Sequence, residues 1–580
     1  MKTNNRMLAL LLALCMMLAV LAGCGDTSSK QEASASAPAV QEPSEAPAAP
    51  SEEPGSVDES KNSMAVDDSA LEAALDEVEI PPLELPLTEE PVTLSFWTQG
   101  PGGQVGEKYP DFAEYPVFIE AQERTGITLD FIQESFMTVN EKFNLMIASQ
   151  DYPDIIGSFN SMYSAGDDNG IEEEIIIALE DYADLFPHYQ KYRTSTRFLE
   201  TATTTAEGHI SGFYNMMSDF IGPFFGMMGR GDWIDELGMG MPETYDELHE
   251  LLLAMKDKYG CTTTLMLDSA AVGNDNFLAG GYGIACMLAT NAKESYWMVQ
   301  DGEVKDGITG EGYKEYLSML HQWYEEGIIN SDFVNAAGAM SSDGMGDIIG
   351  GNCGVFFNGA PMMDMYASMA DDPNFRIVGM PDPVKEKGEK THVDTTEYDF
   401  GKEMMSISTN CQEPELAIQF CEYLYTDEGI QLVNYGVEGL SCEVVDGKAQ
   451  FTDLVLNNPD LGDPISFYTG RNSVPSWESN KRLLDTFTED VKDAFGVWES
   501  SRDNRDAYPY VAQLTIEETE EISKLAADYQ SYADECRQKF IVGDMDIETE
   551  YEAYEEEVRT QGLTRALEIK QDAYDRYMEK

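Results

Sequence analysis

The chain has 580 residues, with 107 aspartates and glutamates against 36 lysines and arginines, for a formal net charge of −71. Charge of that sign argues against direct binding to nucleic acid or anionic lipid, and an anionic ligand would need a local basic pocket. Five histidines never approach within 20 positions of one another, and H-E-x-x-H, G-x-S-x-G and G-x-x-x-x-G-K-[ST] are all missing, so the commonest signatures of metalloprotease, serine hydrolase and phosphate-loop chemistry are excluded.

Lys2 and Arg6 precede an unbroken apolar run, residues 7–22, which is short for a membrane span of about 20 residues and has the layout of an export signal. It ends in Leu21-Ala22-Gly23-Cys24. That tetrad resembles the lipobox of bacterial lipoproteins, which implies removal of residues 1–23 and a diacylglycerol on the Cys24 thiol. Two acyl chains give stable membrane attachment. Residues 24–90 are rich in Pro, Ala, Ser and Glu and poor in aromatic and β-branched side chains. Such a segment cannot bury enough apolar surface to fold and reads as an acidic tether. The expected location is therefore the outer side of a cell membrane, of Gram-positive type.

Roughly 490 residues remain, more than one hydrophobic core organises, so two lobes are expected. VTLSFWTQG at 92–100 alternates as a first strand. PVFIEAQERT at 116–125 is a helix stopped by Gly126, ITLDFIQES a second strand, VNEKFNLMIASQ a helix, and YPDIIGS a third short strand. Strand and helix in alternation predict βαβ units on a parallel sheet, with ligands outside the carboxyl ends of the strands. These ends are Trp97–Gly100, Gln133–Ser135 and Gly157-Ser158.

Thr244 with Glu247 forms a capping-box pattern ahead of a stripe of Leu248, Leu251, Leu252 and Met255. GYKEYLSMLHQWYEEGI at 312–328 repeats the helical pattern with Tyr313, Tyr316, Leu317, Leu320 and Tyr324 on one face and Gly327 as the stop. GGYGIAC at 280–286 lacks the last small residue of a dinucleotide fingerprint. NCGVFFNGA at 352–360 predicts a strand, and EPELAIQFCEYLYTDEGIQLVNYG predicts two helices, with Pro414 opening the first, Thr426 capping the second and Gly436 ending it. The last 65 residues read as helical. Acids near residue 543 suggest a calcium loop, but Thr549 stands where such a loop needs glycine, which leaves an acidic turn and helix. Seven cysteines beyond Cys15 and Cys24 are widely spaced without a C-x-x-C pair, so buried free thiols are expected.

VTLSFWTQG, FNLMIASQDYPDII, GRGDWIDELGMGMPETYDEL, WYEEGIINSDF, GNCGVFFNG, STNCQEPELAIQFCEYLYTDEGIQLVNYGVEG, KFIVGD and DAYDRY together resemble the extracellular solute-binding proteins of bacterial ABC importers. The likeness is to the large lipoprotein branch that includes alginate-oligosaccharide-binding proteins. One departure is EGHISGFYN, where the family has a Tyr-Gly-Leu-Pro-like run at a hinge. The resemblance implies an α/β, two-lobed, type II periplasmic-binding-protein-like fold with a hinge, a ligand cleft and a helical C-terminal extension. It places residues 91–213 plus 352–400 in an N-terminal lobe and 214–351 plus 401–580 in a C-terminal lobe. It further implies a monomeric, non-catalytic receptor that captures a carbohydrate and passes it to ABC permease subunits. A receptor for a non-sugar solute, a sensory protein facing a kinase, and a surface glycan-degrading enzyme are the competing readings. No cofactor is expected; a structural calcium ion enters by family analogy alone.

Sugars offer flat C–H faces and a rim of hydroxyls, which proteins meet with aromatic platforms and amide, carboxylate or guanidinium groups. Trp97 fits a platform, being at a strand's carboxyl end on the polar phase of the alternation, with a core role as the competing assignment. Gln99 and Glu134 share that rim or face solvent. Phe357 and Asn358 fall where the strand predicted within 352–360 runs into its turn, and Tyr214 and Tyr398 fall near lobe crossings. Arg230 belongs to a family motif with Asp232 and Trp233; Trp233 is expected to be structural and Arg230 is open. Trp323 is expected in the core, and Trp477 either reaches ligand or packs at the surface.

Overall fold

The computed structural model describes residue 75 and residues 78–579, apart from 218, 220–221, 268–275, 285–295, 332, 336–337, 340, 393–399, 459, 462, 472, 504–505 and 510. Cys24 and Tyr398 therefore lie outside the described residues. Strand β1 (Val92–Gln99) leads through the helix Pro116–Thr125 to β2 (Ile127–Glu134), then through Val139–Ser149 to β3 (Ile155–Ile156). Pro116 sits in the first helical turn, where its missing N–H costs nothing, and Gly126 ends the helix at φ 77°. β2 and β3 both run parallel to β1, as the alternation of elements requires.

β4 (Phe213–Met217) is followed by β5 (Phe225–Arg230), the helix Tyr245–Tyr259 and β6 (Thr263–Leu265). The Thr244 hydroxyl caps that helix, accepting from the Glu247 N–H, and Leu248, Leu251, Leu252 and Met255 form its buried stripe. A hairpin of β7 (Trp297–Gln300) and β8 (Glu303–Asp306) precedes the helix Glu311–Glu325. Then come β9 (Cys353–Gly359), β10 (Ile377–Gly379) and β11 (Phe400–Ile407). Helices Pro414–Tyr423 and Asp427–Tyr435, a hairpin of β12 (Cys442–Val445) and β13 (Lys448–Phe451), and β14 (Trp477–Glu478) follow. Helix Glu489–Ser501 and three C-terminal helices, Ile516–Val542, Ile547–Val558 and Thr564–Glu579, complete the chain.

Two sheets organise these elements. The first has the order β14-β4-β11-β3-β1-β2, with β11 opposed to the other five; the second has the order β10-β5-β9-β6, with β5 opposed to the other three. This pairing corrects the expected lobe assignment. β9 and β10, expected in the first lobe, belong to the second sheet, and β4, β11 and β14 belong almost wholly to residue ranges expected in the second lobe but join the first sheet. β9 is mostly buried on both faces. Its apolar run would suit the middle of either sheet, and the sequence does not name its partner.

Both faces of each sheet are covered. Leu94, Phe96 and Ile155 face a core with Phe118, Tyr189 and Phe420, while Trp97 and Ile156 face Val139, Phe143 and Phe159. In the second sheet Met227, Val355 and Leu265 face one core, and Met228, Phe356 and Cys353 face another that includes Phe495 and Trp498. Helix Glu489–Ser501 lies close on this sheet because a Cβ at Gly226 would stand 2.2 Å from the Trp498 ring, and one at Gly379 2.5 Å from the Ala494 Cβ. Ile522, Tyr529, Ala533 and Cys536 of the C-terminal helices join the core around Tyr313, Tyr316, Leu320 and Trp323. Cys261, Cys353, Cys411, Cys421, Cys442 and Cys536 are free and buried. Among the described residues no helix is long and apolar enough to cross a membrane.

Candidate functional site

Five strands of the first sheet point to one edge, which carries Gln99, Glu134, Gly157, Met217 and Glu478. From that edge the chain leaves for the second sheet after β4 and after β14, and it returns there into β11. The second sheet meets these crossings at the start of β5 and the ends of β9 and β10. The candidate site is the region where these two edges face the crossings, since ligands of open α/β sheets bind beyond the carboxyl ends of the strands.

Charged groups bind the crossings to one another. The Asp219 carboxylate, on the first crossing, accepts from the Ser479 hydroxyl at 2.5 Å, the Asn480 N–H at 2.7 Å and the Lys481 N–H at 3.0 Å, all on the third. Immediately beneath, buried Glu478 pairs with buried Arg482 and accepts from the Asn215 amide at 2.7 Å. Asn434 accepts from Arg482 and from the Ser479 N–H, and donates to the Trp477 carbonyl at 3.0 Å. On the second crossing, buried Asp382 receives the Arg502 guanidinium through two bonds, and Arg502 also donates to the Phe225 carbonyl at 2.7 Å. Both arginines thus have carboxylate partners within the protein.

The sequence-predicted site residues divide between the edges and the cores. Gln99 and Glu134 stand opposite each other in the β1–β2 register at the edge, with Gln99 exposed and Glu134 half-buried. Phe357 is half-buried near the end of β9 and stacks on Phe225 at 6.0 Å between ring centroids. Trp97 is a correction. It is 3% exposed, with its ring 5.6 Å from Phe143, because the helix Val139–Ser149 covers the face that alternation marked as polar. Asn358 is buried and donates to the Tyr366 hydroxyl at 2.6 Å while accepting from the Gly359 N–H. Trp477 is 9% exposed and stacks on Tyr192 at 4.9 Å.

Tyr214 lies near the start of β4, buried among core side chains; its hydroxyl is 3.4 Å from Asp167 and its carbonyl accepts from Tyr425. Arg230 ends β5, which runs away from the crossings, so it sits at the far edge. There it pairs with Asp232 and stacks on Trp233 and Phe375. Trp323 is in the core, as expected. Cys24 and Tyr398 fall outside the described residues.

Three features were missed. Asp219 carried no motif. Phe136 and Met137, directly beyond β2, are 76% and 87% exposed; the available signal was an apolar pair placed just past the point where the strand alternation stops. Asp167 is half-buried with its Oδ1 atom fully covered, and this desolvation pushes its carboxyl up to about 6. The Ser211 and Tyr214 hydrogen bonds oppose that rise, and the Asp168 charge adds to it.

Among the described residues no group of three or more His, Cys, Asp or Glu side chains is placed to hold a metal. In the acidic segment after residue 543, Asp546 caps the helix Ile547–Val558 through the Thr549 N–H, and Glu550 accepts from the Asp546 N–H.

A profile of the bacterial extracellular solute-binding proteins matches residues 106–431. The fructooligosaccharide ABC transporter substrate-binding protein FusA of Streptococcus pneumoniae is 25% identical over 565 residues, covering 89% of this chain and 95% of that protein. The lipoprotein LipO of Bacillus subtilis is 26% identical over 339 residues, 56% of this chain and 62% of LipO. Among solved structures, the alginate-binding protein AlgQ2 without calcium ion superposes with a TM-score of 0.67 at 22% identity, covering 84% of this chain and 99% of that one. The last likeness is one of fold.

Proposed function

The chain belongs to the bacterial extracellular solute-binding protein family, and from that premise we propose that it captures an oligosaccharide between its two lobes and delivers it intact to an ABC importer. The observation that carries this reading is the convergence of five strand ends and the chain crossings on one edge, braced by Asp219 across two of those crossings. A ligand touching both sheets gains its full contacts only when the lobes are closed, so binding shifts the open–closed equilibrium. The likeness to FusA along nearly the whole chain supports a saccharide as the solute.

The first lobe comprises residues 91–217 and 400–479, and the second comprises 225–379 and 489–579. Gln99 and Glu134 supply polar contacts from the first lobe, and Phe225 with Phe357 an apolar surface from the second. No bond of the ligand is changed. The protein acts as a monomer, held outside the cell by a lipid on Cys24, and its closed form engages the permease subunits. A panel of mono- and oligosaccharides tested by thermal unfolding and titration calorimetry checks the reading. One class should raise the melting temperature by mass action on the folded state, accompanied by a smaller radius of gyration in X-ray scattering. Binding of peptides or nucleosides in place of every saccharide would overturn the sugar assignment, and release of cleaved products would overturn the receptor.

A further inference from the structure

Phe136 and Met137 are more exposed than any other large hydrophobic side chain among the described residues; the next, Leu145, is 55% exposed. They are held in position by a closed turn. The N–H groups of Thr138 and Val139 both donate to the Ser135 carbonyl at 2.9 Å, and the Ser135 and Thr138 hydroxyls are 3.0 Å apart. The helix Val139–Ser149 starts directly from this turn. An apolar pair fixed in water by its backbone meets the solvent cost of exposure without gaining packing in the free protein.

Its place in the sheet gives it a use. The turn follows β2 at the same edge as the other strand ends, next to the Gln99–Glu134 register pair, and β2 is the outermost strand. Four strand intervals separate it from β4, where the first crossing leaves, a span of roughly 19 Å at the usual spacing. A mono- or disaccharide bound beside the crossings does not reach that far, whereas a chain of several rings does. The guanidiniums of Arg482 and Arg502, on the last crossing, are occupied by Glu478 and Asp382, so neither is a ready partner for a ligand carboxylate.

We propose that Phe136 and Met137 form an outer subsite that stacks on a distal ring of an uncharged oligosaccharide, so that affinity rises with chain length. This inference rests on the reading of the cleft as a saccharide site. The test is calorimetry on the full chain with fructo-, malto-, xylo- and galacto-oligosaccharide ladders from disaccharide to hexasaccharide, and with oligogalacturonides, for the natural protein and Phe136→Ala. In the ladder that binds, the natural protein should gain affinity with length. Phe136→Ala should lose about tenfold or more on the longest member and stay within about twofold on the shortest, with its melting temperature unchanged because the side chain makes no core contact. Equal length dependence in both proteins, or tighter binding of oligogalacturonides than of every neutral ladder, overturns the outer subsite alone. Failure of the natural protein to bind any saccharide removes the cleft reading, and this inference with it.

Discussion

The Asp219 carboxylate accepts the Asn480 backbone N–H at 2.7 Å across 261 positions of sequence, joining the first chain crossing to the third. Ser479 and Lys481 donate to the same carboxylate, so one partly buried side chain orders three successive residues. Asp219→Ala leaves two backbone donors to water. We expect a loss of about 1–3 kcal/mol in unfolding free energy, together with a larger radius of gyration for the free protein. Urea unfolding and X-ray scattering measure the two effects.

The Glu478–Arg482 pair is fully buried and shares Asn434 and Asn215. Removing one charge strands the other in a low-dielectric site, so Glu478→Gln or Arg482→Met should each cost about 3–5 kcal/mol. The double substitution should cost less than the sum of the two. A double-mutant cycle read by denaturant unfolding gives the coupling; additive costs would show that the pair acts as two independent groups.

Asp167 sets a pH dependence. Its carboxyl titrates near 3.8 when unperturbed and near 6 in the folded protein. Between those values the folded state binds more protons than the unfolded one, so this group's contribution favours folding at low pH and declines as pH rises through about 6. The full difference is about 3 kcal/mol at most. Asp167→Asn should flatten the stability profile between about pH 4 and pH 6 and raise the melting temperature at neutral pH. An unchanged profile would place the titration elsewhere.

Cys24→Ala should abolish incorporation of radiolabelled palmitate and release the protein from the cell surface into the medium, since a single export signal without acyl chains provides no lasting anchor. Retention of label in the variant would remove the lipid assignment.

The elements of the first sheet are legible in the sequence because local chemistry fixes them. Pro116 and Gly126 bound one helix, and Pro414, Thr426 and Gly436 bound two others, all through backbone geometry that the residue types themselves impose. The site is less legible. Trp97 lies on a strand covered on both faces, so alternation does not separate ligand-facing from core-facing positions there. Arg230 lies at a strand's carboxyl end, but β5 opposes its neighbours, and that direction emerges only from pairing. Asn358 is satisfied by Tyr366, eight residues on, through a contact that requires β9 and the helix Met362–Met369 to be in place. The Asp219 hydrogen bonds that join the crossings reach residues more than 250 positions away, beyond the reach of any local pattern.

The glycine notches under Trp498 and Ala494 have a mechanical corollary. With the helix Glu489–Ser501 seated so tightly on the second sheet, the last crossing is clamped at its downstream end, while β14 clamps it upstream. Within that crossing, its share of any swing of one half against the other falls on the torsion angles beyond the anchored Arg482, in the later part of the 3₁₀ segment Asn480–Thr486, whose i→i+3 bonds are poorer than those of an α-helix. Few dihedrals carry that crossing's share of the rotation, so inserting a residue there would loosen one of the three connections while leaving both sheets and their strand ends as they are.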